Sequence, residues 1–255
     1  MNLNEIIQSN RNHLKKVSNF ITYKDWLKSP YHYGLPDFAF PKINLPIGDD
    51  ITYTDLLQYL SQHLKKDVVY FEIGVSVLKN FYQMANYFQN STLIGFDINL
   101  INPSIENLFQ AIDLQSNPKT YHYSTNQLYY YQGDVFQPQD FAKCHEAVGW
   151  KKYNVVFSDA LHRPDAIIKE YHNGIKKYLD DDEFILYYDD LEGGMKDAFF
   201  TIATDLCQSR NLSLEEHVAV FKIGGWLGKN EYQHTNGIIS TLPIKTLIPS
   251  SIKLL

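Results

Sequence analysis

The chain has 255 residues, 29.7 kDa, with 44% hydrophobic and 20% charged residues, enough for a core of its own and unlike a disordered chain or a coiled coil. Lys and Arg number 23 against 29 Asp and Glu, a net charge of −6 with a pI near 5.8, which is the wrong sign for a surface that neutralises phosphates, so no nucleic-acid partner is expected. Two distant cysteines, Cys144 and Cys207, without any Cys-x-x-Cys or Cys/His cluster, support neither a disulfide scaffold nor a structural zinc site.

The N-terminus has no apolar signal-peptide core, and no run of about 18 apolar residues occurs, so no membrane partner is expected and the expected location is the cytoplasm. Leu3, Ile6, Ile7, Leu14 and Val17 recur at helical spacing and predict an amphipathic helix within the first twenty or so residues. Residues 29–50 are crowded with prolines and aromatics (Pro30, Tyr31, Tyr33, Pro36, Phe38, Phe40, Pro41 and Pro46). Aromatic side chains seek burial, so this run suits an ordered loop. Thr52 and Asp55 have capping-box spacing, and Leu56, Leu57, Leu60 and Leu64 supply the apolar face of the helix they open.

Beyond Asp67 the pattern changes. Residues 68–73 form a short β-branched and aromatic run that predicts a buried strand; Gly74 and Ser76 follow, then a helix with Leu78, Phe81, Ala85 and Phe88 on its buried face. Residues 92–97 predict a second strand and 128–132 a third, with a helix expected around 104–114 between them. Residues 154–158 predict a fourth strand. Pro164 stands at a first-turn position before Ile167, Ile168, Tyr171 and Ile175. A fifth strand over 184–188, a helix carrying Met195, Phe199, Ile202 and Leu206, and two late strands over 217–223 and 237–242 complete the chain. Alternation of strands and helices predicts an α/β fold: a Rossmann-like, seven-stranded, mostly parallel sheet with helices on both faces and the last strand antiparallel.

In open α/β sheets ligands bind beyond the carboxyl ends of the strands, and here every such end is polar or acidic. The first gives Glu72, Gly74 and Ser76, the second Asp97, the third Asp134, the fourth Asp159 and the fifth Asp189 and Asp190. An Asp at a strand end is commonly a turn former or a helix cap, yet these ends fall along one edge of the sheet. Residues 68 to about 191 resemble the class I S-adenosylmethionine-dependent methyltransferases, above all the metal-dependent O-methyltransferases of natural-product sugars and macrolides.

The resemblance implies that Glu72, Gly74 and Ser76 pass under the methionine part of S-adenosyl-L-methionine. It places Asp97, with Ile98, at the ribose hydroxyls, Asp134 and Val135 near the adenine, and Asp159 beside the cofactor. A carboxylate suits a vicinal diol, and glycine lets backbone approach a ligand. Glycine is scarce, 13 residues in the chain, and the loop holds one where the family often has two or three, with Leu78 where a further glycine is frequent. A dinucleotide is less well served, because Gly74-Val75-Ser76-Val77-Leu78-Lys79 lacks the Gly-x-Gly-x-x-Gly cradle for a pyrophosphate.

Asp159, Asp189 and Asp190 at neighbouring strand ends would repel one another unless protonated or paired with a cation, and hard oxygen donors suit Mg²⁺ or Mn²⁺. The resemblance implies that these three hold such a metal; the alternative is that Asp189 or Asp190 caps the helix starting near Gly193. His162, with an ordinary pKa close to working pH, is the candidate general base acting with Asp159; the alternative is a loop histidine satisfied by its neighbours. The other histidines form no readable cluster. Tyr129, Tyr130, Tyr131, Tyr187 and Tyr188 either line an acceptor pocket or belong to the core. Residues 224–228, Gly-Gly-Trp-Leu-Gly, read as a turn able to reach that pocket.

The expected organisation is a helical and aromatic extension over residues 1–50 and a methyltransferase domain over 51–255. The extension is read as a lid over the site or as a contact between subunits of a homo-oligomer. The expected function is transfer of a methyl group to a hydroxyl of a small natural-product or sugar-like acceptor with Mg²⁺ assistance. The alternatives are a non-catalytic binding module on the same fold, an N-methyltransferase without metal, and a metal-dependent hydrolase.

Overall fold

A computed structural model describes residues 1–17, 19–21, 32–35, 40–229 and 232–255. Helix α1 (Leu3–Leu14) is shorter than its apolar pattern and opens on a capping box between Asn2 and Glu5. Helix α2 (Tyr53–Ser61) starts at the predicted box, Thr52 accepting from the Asp55 N–H while Asp55 accepts from the Thr52 N–H. Then come β1 (Val69–Ile73), α3 (Lys79–Tyr87), β2 (Thr92–Asp97) and the short helix α4 (Pro103–Glu106). They are followed by β3 (Gln110–Asp113), β4 (Lys119–Tyr123), β5 (Asn126–Gln132), α5 (Pro138–Ala147) and β6 (Val155–Ser158). Helix α6 (Pro164–Glu170), with Pro164 in its first turn, runs on through a wider π turn, Tyr171–Ile175. Strand β7 (Ile185–Tyr188), helix α7 (Gly194–Arg210) and strands β8 (Val218–Ile223) and β9 (His234–Ser240) follow.

The sheet has nine strands in the order β3-β4-β5-β2-β1-β6-β7-β9-β8. Strands β5, β2, β1, β6 and β7 are parallel. The last strand, β9, inserts between β7 and β8, antiparallel to both. The expected seven strands are therefore exceeded by two. The helix expected around 104–114 stops at Glu106, and the chain turns into the β3–β4 hairpin on the outer side of β5. The Asp113 side chain accepts from the N–H groups of Gln115 and Ser116, an Asx-type turn that competes with helix.

Alternating side chains of the parallel strands feed two cores. Tyr70, Leu93, Val155 and Ile185 pack with Leu56, Leu60, Phe81 and Met84 of α2 and α3. Phe71, Ile94, Val156 and Leu186 pack with Phe141, Ile167, Phe199 and Leu206 of α5, α6 and α7. Burial on both faces explains why these strands read as continuous apolar runs. Tyr130, Tyr131, Tyr187 and Tyr188 are core residues, each below 4% exposed. Among the described residues no helix is long and apolar enough to cross a membrane. Of the aromatic and proline run, Pro30, Tyr31, Pro36 and Phe38 lie outside the described residues.

Candidate functional site

The turn after β1 is built from three left-handed residues, Gly74 (φ 83°), Ser76 (φ 51°) and Leu78 (φ 66°). Only one is glycine, so Ser76 and Leu78 hold a conformation that costs an L-residue roughly 1–2 kcal/mol. Asp97 at the end of β2 fixes the turn. Its Oδ2 accepts from the N–H groups of Val75 (2.7 Å) and Ser76 (2.9 Å). Its Oδ1 accepts from the Asn99 backbone (2.8 Å) and side chain (3.0 Å). Burial raises the Asp97 pKa despite these donors. Its acceptor positions are thus taken by protein groups, with Asn99 holding the face expected to meet a ribose.

Glu72 is 1% exposed, and its Oε2 accepts from the Tyr70 hydroxyl (2.6 Å) and the Asn80 amide (3.0 Å). Burial lifts its pKa well above the usual carboxyl range. Asp134, after β5, accepts from the Phe136 N–H at 2.9 Å.

The carboxyl ends of β6 and β7 meet around two imidazoles. His162 reaches Asp159 Oδ1 from Nε2 at 2.9 Å and Asp190 Oδ2 from Nδ1 at 3.0 Å. Loss of water around the ring opposes its charge, but the two carboxylates outweigh this and hold its pKa up at about 11. His234, on β9, reaches Asp190 Oδ1 at 2.7 Å, and this contact carries its pKa up to about 9. Asp190, itself left-handed (φ 54°), is partly buried, yet the two imidazoles hold its carboxyl far below the usual range. Asp189 is 4% exposed. Burial, then the neighbouring Asp159, pushes its pKa well up, and its Oδ1 is buried with no hydrogen-bond partner.

Ligand atoms of Asp189, Asp190 and His234 all lie within 4.8 Å of one another. Asp159 is not in that group; its Oδ1 is engaged by His162. Neither Asp189 nor Asp190 caps α7, whose N-cap is Gly193 with no side-chain hydrogen bond. His234 contradicts the expectation that the other histidines form no cluster. It lies on a separate antiparallel strand far along the chain, and no local motif marks it.

One cleft of about 850 Å³ holds Glu72, Gly74, Ser76, Asp97, Ile98, Asp134, Val135, Asp159, His162, Asp189 and Asp190 together in its lining. The sequence-predicted site residues therefore share one space. Tyr53, Lys79, Asn80 and Asn99 also line it and carry no motif, and Trp226 brings the 224–228 turn into it. That turn is tied to the N-terminal segment: Gly48 N–H donates to the Leu227 carbonyl (2.8 Å) and Tyr53 N–H to that of Gly225 (3.3 Å). Tyr33 contributes from the aromatic run, and the Ser76 hydroxyl donates to its carbonyl at 2.6 Å.

No family model matches the sequence, and no curated protein matches it. Among solved structures the chain is similar to MycE methyltransferase from the mycinamycin biosynthetic pathway in complex with Mg and SAH: TM-score 0.42, 11% identity, 76% of this chain and 50% of that one. The chain thus spans about half the length of MycE. It is similar to magnesium protoporphyrin IX methyltransferase (ChlM) from Synechocystis PCC 6803 with bound SAM: TM-score 0.48, 13% identity, 90% and 96% of the two chains. A third is precorrin-6y C5,15-methyltransferase from Geobacter metallireducens GS-15: TM-score 0.40, 13% identity, 72% and 86%. All three neighbours are methyltransferases.

Proposed function

We propose that the protein is an S-adenosylmethionine-dependent methyltransferase acting on a hydroxyl of a small natural-product or sugar-like acceptor, with Mg²⁺ or Mn²⁺ held at the acidic strand ends. The observation that carries this reading is the gathering of the strand-end groups of β1, β2, β5, β6 and β7 in one cleft. The lining is rich in carboxylates, which suits a cationic sulfonium cofactor and opposes the phosphates of a dinucleotide.

Glu72 and the Gly74–Ser76 turn hold the methionine end, Asp97 and Ile98 the ribose, and Asp134 and Val135 the adenine. At Asp97 a ribose hydroxyl takes the place of the Asn99 amide. The orphaned oxygen of Asp189 fits a hard cation, with Asp190 and Asp159 as the further oxygen donors and His234 within the same group. When bound, S-adenosylmethionine would supply an electrophilic methyl group, and a divalent ion held by these residues would supply Lewis acidity that lowers the pKa of the acceptor hydroxyl. His162 is the group placed to take the acceptor proton. Both of its nitrogens are engaged by Asp159 and Asp190, which keep the ring protonated, so this role requires one of those contacts to open and the ring to lose a proton before it can accept one. Tyr33 and Ile43 of the N-terminal extension stand on the cleft wall, which favours the lid reading of that extension over a subunit contact.

Calorimetry with S-adenosylhomocysteine tests the cofactor half: micromolar-range binding is expected, lowered at least ~10-fold by Asp97→Ala, a loss of about 1.4 kcal/mol. Absence of binding to the folded wild-type chain would overturn the reading. Full methyl transfer in excess chelator would remove the metal from it.

A further inference from the structure

Lys79 opens α3 and reaches across to the N-terminal segment. It is 6% exposed, its Nζ donates to the Ile43 carbonyl at 2.7 Å, and the rings of Phe20 and Trp226 lie 4.8 and 5.1 Å from it. Lys79, Ile43 and Trp226 all line the cleft. An ammonium has three donors; the carbonyl takes one, and the aromatic faces attract the charge without accepting a strong hydrogen bond. Lys66, Lys119 and Lys176 each pair with a carboxylate. Lys79 pairs with none among the described residues.

A buried cation without an anion is costly. Burial, then the nearby Arg11, brings the Lys79 pKa down to about 7. Among the described residues no other Lys or Arg lines the cleft. The two imidazoles of the cleft, His162 and His234, are already paired with Asp159 and Asp190, so a ligand carrying a single negative charge meets in Lys79 a cation without a carboxylate partner among the described residues, and the surrounding carboxylates oppose a more highly charged phosphate.

We propose that Lys79 is the carboxylate-recognition residue of the cleft, donating from its ammonium to the carboxylate of a bound ligand beside Trp226. The proposal rests on the methyltransferase reading, which offers two sources of that group: the amino-acid end of the cofactor, or a carboxylate on the acceptor. Calorimetry on the full chain distinguishes them. Wild type, Lys79→Met and Lys79→Arg are titrated with S-adenosylhomocysteine and with 5′-methylthioadenosine, the same nucleoside thioether without the amino-acid carboxylate. Benzoate is then titrated into the S-adenosylhomocysteine-loaded protein as a carboxylate probe of the acceptor side.

A cofactor source predicts that Lys79→Met binds S-adenosylhomocysteine on the order of 10-fold or more weakly, with 5′-methylthioadenosine unchanged and Lys79→Arg largely restored. An acceptor source predicts unchanged nucleosides and lost benzoate binding. A merely structural lysine would lower all affinities together with Tm, and that result, like one in which no probe depends on Lys79, overturns the proposal. Lys79→Gln, which retains a donor toward Ile43, replaces the Met variant if that one does not fold. Wild type that binds neither nucleoside overturns the cofactor reading and this proposal with it, a pattern distinct from failure of the proposal alone.

Discussion

Gly74 lies so close against Asp159 that a Cβ at Gly74 would stand 2.4 Å from the Asp159 carbonyl oxygen, and as near to the Ala160 Cα. Both neighbours are backbone, and Gly74 is left-handed at φ 83°, so neither side can give way cheaply. Gly74→Ala is expected to destabilise the chain by about 2–4 kcal/mol. It should also displace the turn from Asp97, lowering S-adenosylhomocysteine affinity in what still folds. Urea denaturation and calorimetry on the same sample check both effects; a variant of wild-type stability would show that the turn does not press on the end of β6.

The strand ends were legible because each lies within a residue or two of a short apolar run, so Glu72, Asp97, Asp159 and Asp189 could be placed from local pattern alone. Thr52 and Asp55 were legible for the same reason. The groups that escaped local pattern come from elsewhere in the chain. His234 reaches Asp190 only because β9 inserts beside β7, and strand order is a long-range property. Lys79 looks like a solvent-facing first-turn residue until Ile43 and Trp226 close over it. The β3–β4 hairpin was missed because Ile105, Leu108, Phe109 and Ile112 mimic helical spacing, while the Asx turn at Asp113 redirects the chain.

Arg11 on α1 and Asp55 on α2 form a buried ion pair at 2.9 Å, with side chains 6% and 0% exposed. Arg11 also donates to the carbonyls of Gly48 and Asp50, anchoring the segment that meets the 224–228 turn. Arg11→Met leaves the Asp55 carboxylate buried with its cation gone, and is expected to cost about 3–5 kcal/mol. Chemical denaturation checks the magnitude. A loss below about 1 kcal/mol, the range of an exposed pair, would show that α1 detaches without consequence for the core.

Glu170 on α6 is fully buried; its Oε2 accepts from the Ser158 hydroxyl at 2.6 Å, and its Oε1 has no partner. Burial lifts its pKa from 4.5 to about 8. Because the folded value lies above the unfolded one, folding takes up a proton between them: the contribution to stability is full below pH 4.5 and is lost as pH rises to about 8. Glu170→Gln mimics the protonated form at every pH. Relative to wild type it should gain of the order of 2–4 kcal/mol between pH 5 and pH 9, since each pH unit across that window is worth up to about 1.4 kcal/mol. A pH-independent difference between the two proteins would place the Glu170 titration outside this window.

Asp189 combines two properties that pull in opposite directions. Its carboxylate is buried next to Asp159, with Oδ1 unpartnered, so in chelator-treated protein its charge is destabilising. The same oxygen lies in the group with Asp190 and His234, so a divalent ion bound there should raise Tm by mass action. Asp189→Asn keeps the shape and removes the charge. In chelator it should be more stable than wild type by about 1–3 kcal/mol, and it should lose the rise in Tm that millimolar Mg²⁺ or Mn²⁺ gives the wild-type chain. Thermal scans of both proteins, with and without cation, read the two signs independently. A lower Tm in chelator together with an undiminished cation response would assign Asp189 to packing and place the ion elsewhere.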